Sequence, residues 1–180
     1  MVFLVDRQYN FRMVSHFHTT SPNPYLPEGT NLSKVIIANF FDGELVVDSP
    51  WRKESLAPIF LIFDALIVNT SNVIGEPFNL RLKTAHDYIA RRFLPARSLP
   101  GKEEKLPPID VYMKEMFHVW DAKELMPKLV EQRKLMHEND GLIFTVDECP
   151  YYPGTCEQIW KWKPVDQNSI DFVLRATIVD

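Results

Sequence analysis

Asn139-Asp140-Gly141-Leu142-Ile143-Phe144-Thr145, followed by Ile159-Trp160-Lys161-Trp162-Lys163-Pro164, is the pair of stretches that decides how this chain folds. The first puts a carboxylate and a glycine just ahead of an apolar run. The second alternates lysine with tryptophan. In a strand over Ile159 to Lys163, successive side chains point to opposite faces, so Lys161 and Lys163 share one face and Trp160 and Trp162 the other. Two ammonium groups side by side on an otherwise buried strand repel each other, and they are held there when an anion lies between them. A polyphosphate is the natural candidate for that anion.

Around this pair, the composition is that of an ordinary single globular domain. The 180 residues are 46% hydrophobic and 24% charged, with a net charge of −4, enough chain for one domain with its own core. The negative balance excludes a chain that traps nucleic acid by overall charge, so any such site is a local basic patch. The N-terminal Met-Val-Phe-Leu-Val-Asp-Arg reads as a strand and not as a signal peptide, and no segment is long enough to cross a membrane. His16, His18, His86, His118 and His137 have no ligand spacing, and no Cys/His set has zinc spacing.

Taken in order, Val2 to Val5 and Phe11 to Val14 predict a hairpin. Ser21 to Gly29 reads as a loop. Val35 to Phe41 and Glu44 to Asp48 read as a bent strand pair around Asp42-Gly43, where a glycine suggests a bulge or a close approach of the backbone to a ligand. Ile59 to Val68 is the most apolar run, a central strand covered on both faces and interrupted by Asp64. Phe78 to Phe93 predicts a helix with Leu82, Ala85, Ile89 and Phe93 on its apolar stripe, and Arg81, Arg91 and Arg92 off it. Leu94 to Pro108 reads as a loop and Ile109 to Met113 as a short strand leading to Lys114. Asp121 and Glu124 resemble a capping box opening a helix interrupted by Pro127. Leu142 to Val146, Gln158 to Trp162 and Ile170 to Ile178 are expected to complete the sheet. The expected class is α+β, a mostly antiparallel sheet with flanking helices.

Several of these pieces together carry a resemblance. Asp140-Gly141-Leu142-Ile143-Phe144 and Lys161-Trp162-Lys163-Pro164 look like the fourth and fifth nucleotidyl-transferase motifs of the mRNA capping enzymes, the GTP:RNA guanylyltransferases. Asp42-Gly43-Glu44-Leu45 resembles the third motif, Phe60-Leu61-Ile62-Phe63-Asp64-Ala65 its companion, and Asn168-Ser169-Ile170-Asp171-Phe172 the segment after the fifth. The resemblance implies the adenylation-type nucleotidyl-transferase fold and GTP as substrate. It further implies a divalent metal (Mg or Mn), transfer of GMP to the 5′-diphosphate end of RNA, and a nuclear setting. A polymerase II tail or an RNA triphosphatase is the expected partner. By the same resemblance, Lys161 and Lys163 contact the α-phosphate, with Trp162 between them. Asp140 binds the metal or steers the nucleophile, and Glu44 meets the ribose and is a second metal candidate. Asp42 and Gly43 complete that signature. Phe63 stacks on the guanine, Lys114 reads its O6, and Asp171 lies behind the lysines. The reducing interior that the family implies favours free thiols at Cys149 and Cys156.

Singly, each motif has a plainer reading. Asp42-Gly43 and Asp140-Gly141 are common turns, Phe63 is a core residue, Lys114 is a surface lysine, and Asp171 is a salt-bridge partner. Their order and spacing together favour the capping family. Lys-Trp-Lys-Pro and Lys114 favour it over the related polynucleotide ligases.

The family's nucleophile lies in Lys-x-Asp-Gly, and no such tetrapeptide occurs here: residues 40 and 138 are Phe and Glu. The family's C-terminal OB-fold is expected to be absent from these 180 residues. The expectation is therefore one partial guanylyltransferase catalytic domain over residues 1–180, holding the base and α-phosphate cradle without the nucleophile. A non-catalytic GTP-binding or protein-docking module is the alternative. The strand at Val2 to Val5 is expected to need a partner upstream. Without N-terminal strands the chain is expected to have unpaired sheet edges and to be loosely packed and aggregation-prone.

Overall fold

Ile59 to Val68 is ten residues with one charged member, and it forms the longest strand among the described residues. In the computed structural model, which describes residues 2–14, 38–46, 58–92, 109–124, 127 and 140–175, the strands are β1 (Val2–Val5), β2 (Phe11–Val14), β3 (Phe40–Val46), β4 (Ile59–Val68), β5 (Ser71–Asn72), β6 (Asp110–Met113), β7 (Leu142–Thr145) and β8 (Ile159–Trp162). Helix α1 spans Phe78–Arg92. The class is α+β with mostly antiparallel pairing. β4 sits at the centre of a four-stranded sheet, antiparallel to β3 and β5 and parallel to β6. β1–β2 and β7–β8 form two separate two-stranded ribbons.

The core lies where α1 crosses β4. Ala65 and Ala85 are fully buried there with Val68 and Val73, and Phe41, Tyr88 and Met113 pack around them. Alanines at this contact leave no side chain to hold helix and strand apart, so the backbones pack closely. The helix begins with no acidic residue in its first turn. Asp147, distant in sequence, serves instead. Its carbonyl accepts from Phe78 N, and its carboxylate accepts from the Asn79 backbone N–H (2.8 Å) and side-chain amide (2.8 Å). An anion placed on orphan N–H groups at a helix N-terminus stabilises it.

Four expectations are corrected. Asp42-Gly43 does not break the chain into a strand pair: Phe40–Val46 is one continuous strand, and the irregularity is a register shift. Arg81, expected off the apolar stripe, is 1% exposed. Its Nε and Nη2 donate to Asp64 Oδ1 (2.7 Å) and Oδ2 (2.8 Å), and its Nη1 donates to the carbonyls of Glu76 and Cys149. Phe78 lies over the guanidinium at 5.5 Å. A carboxylate inside an apolar strand needs a partner with several fixed donors, and arginine supplies five. Among the described residues β8 pairs with β7 and does not close the main sheet. Ile170 to Arg175 form no strand, and Ile170, Phe172, Val173 and Leu174 are exposed.

The turn after Lys114 opens as a 3-10 helix, Val119–Asp121, whose N-cap His118 makes no side-chain cap bond. The expected loops at 21–29 and 94–108, Val35 to Ile37, Phe93 and Ile178, and the helix beyond Pro127 lie outside the described residues.

Candidate functional site

Strands β3, β4 and β6 and the β7–β8 ribbon bring the sequence-predicted residues into two groups. The first group sits on the central sheet. β4 carries one residue more than β3 at the step between Asp42 and Gly43: Asp42 pairs with Asp64 and Gly43 with Ile62. Phe63 is therefore the unpaired, half-buried residue of a bulge. A bulge re-aims the side chain it carries, which is how a strand presents an aromatic ring out of register with its neighbours. Gly43 lies so close to β4 that a Cβ would stand 2.6 Å from the Leu61 carbonyl and 2.7 Å from the Phe60 ring. The close approach expected at this glycine is thus made to the protein's own strand.

Lys114 follows β6, its backbone N–H donating to the Ile62 carbonyl at 2.7 Å. Its half-buried ammonium reaches across β4 to Glu44 Oε2 at 3.7 Å. Glu44 itself is more than half exposed. Asp42 is engaged at both oxygens: Oδ1 accepts from Gly43 N (2.9 Å) and Oδ2 from the Tyr151 hydroxyl (2.8 Å). Burial, then the bond to Asp42, pushes the Tyr151 phenol above its ordinary range.

The second group sits on the β7–β8 ribbon. Ile143 pairs with Lys161 and Leu142 with Trp162. Gly141, with φ of +142°, turns the chain so that Asp140 stands beside the end of β8. A Cβ there would collide with the Trp162 carbonyl, so glycine is required for space as well as for conformation. Lys161 Nζ donates to Asp140 Oδ2 at 2.7 Å, and Lys163 Nζ approaches the same oxygen at 3.0 Å. The hydrogen bonds from Lys161 and then Lys163 hold the Asp140 carboxyl down to about 2. The anion that two neighbouring lysines require is therefore present within the chain itself.

Trp160 and Trp162 are 66% and 48% exposed, so the ribbon's aromatic face is open and not the buried face the alternation suggested. Asp171 is also exposed. The ion pairs of Lys161 and Lys163 are made with Asp140 and not with Asp171.

The two groups are joined through the loop between β7 and β8. Tyr151 N donates to the Ile74 carbonyl (2.9 Å), the Cys149 carbonyl accepts from Arg81, and the Tyr151 hydroxyl reaches Asp42. Cys149 and Cys156 are free thiols with sulfurs 3.6 Å apart, and burial, then contact with Cys156, raises the Cys149 thiol. Tyr151 and Arg81 were not singled out as site residues from sequence. The available signal was the buried Asp64, which demanded a cationic partner.

Among the described residues no three His, Cys, Asp or Glu side chains gather to hold a metal ion. Asp140 and Glu44 are each paired with lysine. Such a set does not build a closed metal site. It does fit an ion that arrives on phosphate oxygens and takes one carboxylate from the protein. Among the described residues no helix is long and apolar enough to cross a membrane.

The family model for the mRNA capping enzyme, catalytic domain, matches residues 1–165. The chain is 30% identical over 176 residues to the mRNA-capping enzyme subunit alpha of Candida glabrata, covering 96% of this chain and 38% of that protein. It is 30% identical over 175 residues to the mRNA-capping enzyme subunit alpha of Schizosaccharomyces pombe (97% and 41%). It is 29% identical over 148 residues to the mRNA-capping enzyme of Caenorhabditis elegans (78% and 23%). The chain thus spans 38% to 41% of the length of these two fungal relatives.

Proposed function

The chain belongs to the mRNA capping enzyme catalytic-domain family, and on that premise we propose that it forms the GTP-binding part of an mRNA guanylyltransferase, which moves GMP from GTP to the diphosphate 5′ end of RNA. The observation that carries this reading is the Asp140 carboxylate held between Lys161 and Lys163. A site poised for a polyphosphate keeps its solvent-accessible cations side by side and neutralised until the ligand arrives. When the triphosphate enters, the two ammonium groups turn to the α-phosphate oxygens; where a lysine from outside these residues attacks the α-phosphorus, they would stabilise the charge that grows there as pyrophosphate leaves.

Asp140, ionised at neutral pH, is then the carboxylate open to a divalent ion carried on the triphosphate. Such an ion, Mg or Mn, would neutralise phosphate charge. Glu44 faces the ribose and Phe63 the base. Lys114, an ammonium donor, favours guanine with its O6 acceptor over adenine with its amino group. Trp162, Asp42, Gly43 and Asp171 complete the proposed contacts. The nucleus as location, and an RNA polymerase II tail or an RNA triphosphatase as partner, belong to the same proposal.

The attacking lysine of the family's Lys-x-Asp-Gly has no counterpart in these 180 residues. The chain by itself therefore binds GTP without forming a lysyl-GMP bond. This also suits a non-catalytic GTP-binding role.

The test is to incubate the chain with α-labelled GTP and Mg²⁺ or Mn²⁺, then measure label before and after denaturation. Label retained by the native chain and lost on denaturation is the expected result. No native retention would remove the GTP site. Label that survives denaturation and disappears on one Lys→Ala change would put the attack on a lysine outside the family motif.

A further inference from the structure

We propose that Tyr151 is a positioning residue that holds the base-and-ribose group of the site in register with its phosphate group. The inference rests on the GTP-binding reading above and deepens it. Glu44, Phe63 and Lys114 belong to the four-stranded sheet, whereas Asp140, Lys161 and Lys163 belong to the β7–β8 ribbon, and the two sheets share no strand. Whatever spans both groups depends on how firmly the sheets are held relative to each other.

The loop from Asp147 to Tyr151 supplies that hold. Asp147 grips the first turn of α1, and the Cys149 carbonyl accepts from the buried Arg81 guanidinium. Tyr151 N is tied to the Ile74 carbonyl. These bonds anchor the loop to the helix and to the turn before it, away from β3. The Tyr151 hydroxyl extends the tie to β3 itself, donating to Asp42 Oδ2 at 2.8 Å. Asp42 Oδ1 meanwhile accepts from Gly43 N. Through these two bonds the phenol fixes the strand at the residue next to Gly43 and two before Glu44. The contact is partly buried, so water competes poorly for either partner.

A ligand with two separately bound parts gains affinity only while its two subsites are held at the right spacing, because the second contact is then intramolecular. Loosening the tie costs the spanning ligand and leaves each part-ligand alone. This separates a positioning role from a structural one, which would weaken all three.

The experiment compares the full chain with Tyr151→Phe, which removes one oxygen and keeps the ring. Tyr152→Phe, at a residue 57% exposed, is the control. Each is titrated with guanosine, inorganic tripolyphosphate and GTP, with Mg²⁺ throughout. In Tyr151→Phe the GTP affinity is expected to fall about tenfold, while guanosine and tripolyphosphate bind as they do to the unsubstituted chain. Tyr152→Phe should match the unsubstituted chain in all three. Unchanged GTP affinity in Tyr151→Phe overturns the assignment and leaves the GTP site standing. Parallel loss of all three ligands overturns it in favour of a purely structural bond. Failure of the unsubstituted chain to bind any of the three removes the GTP-binding reading, and the role of Tyr151 with it.

Discussion

Replacing Arg81 by methionine isolates the interaction on which the core and the site loop both depend. The guanidinium is 1% exposed and satisfies both oxygens of Asp64, itself 7% exposed, at 2.7 and 2.8 Å. It also donates to the Glu76 and Cys149 carbonyls. Methionine fills much of the volume of the arginine stem but supplies no donor. A buried carboxylate is then left without a counter-charge, which costs about 3–5 kcal/mol. Against a total stability of about 5–15 kcal/mol, that is from about a fifth to all of it. The same loss lowers the midpoint of thermal unfolding by roughly 6–20 °C for a chain of this size.

Changing both partners, Asp64→Leu with Arg81→Met, removes the stranded charge. Two carbonyls still lose a donor, so the double variant is expected to lie about 1–3 kcal/mol below the parent and above Arg81→Met alone. Urea unfolding followed by tryptophan fluorescence reads all three proteins, since the chain has four tryptophans. A cost under about 1 kcal/mol for Arg81→Met, or a double variant no better than the single one, refutes the reasoning.

Other consequences are open to measurement. The Asp140 carboxyl, held to about 2 by Lys161 and Lys163 against an ordinary value of 3.8, should show a ¹³C carboxyl titration midpoint near 2. Its contribution to stability is fully present above the ordinary value and fades as pH falls from there through 2. A midpoint at the ordinary value would dissolve the two-lysine clamp. Gly141→Ala should unpair the β7–β8 ribbon, because φ of +142° and the Trp162 carbonyl both exclude a methyl group. The loss would appear as faster amide exchange at Leu142 to Thr145, with protection unchanged in β4, and equal protection in the ribbon would contradict it. Iodoacetamide under reducing conditions should modify Cys156 well before Cys149, which is buried and whose thiol is raised. Equal labelling rates would place Cys149 at the surface.

Much of the framework is legible from local pattern. Ile59 to Val68, an apolar run interrupted by Asp64 alone, forms β4 over those same residues. The spacing of Leu82, Ala85 and Ile89 identifies α1, and the apolar pairs around Asp6 to Asn10 identify the first hairpin. What sequence leaves out depends on contacts between distant positions. Arg81 lies beside the stripe and looks solvated until Asp64 is seen facing it. Asp147 caps a helix that begins far earlier in the chain, a contact with no period to reveal it. The alternation at Trp160 to Lys163 correctly separates the faces but not their burial. The ribbon's aromatic face is exposed, as Trp160 shows. At the site, the alternation suggested a polyphosphate between Lys161 and Lys163 on a buried strand, whereas the strand is exposed and an anion of the chain itself lies between them. The anion is Asp140, brought there by the turn at Gly141.

The most direct test of the GTP site is calorimetric titration of GTP with Mg²⁺ into the chain and into the double variant Lys161→Ala, Lys163→Ala. Two charge-assisted contacts to phosphate from partly exposed lysines predict a loss of roughly ten- to a hundredfold in affinity. The unsubstituted chain should bind GTP more tightly than ATP. Equal affinity of the parent and the double variant would contradict the account, because the phosphates would then lie away from the Lys161–Asp140–Lys163 cluster.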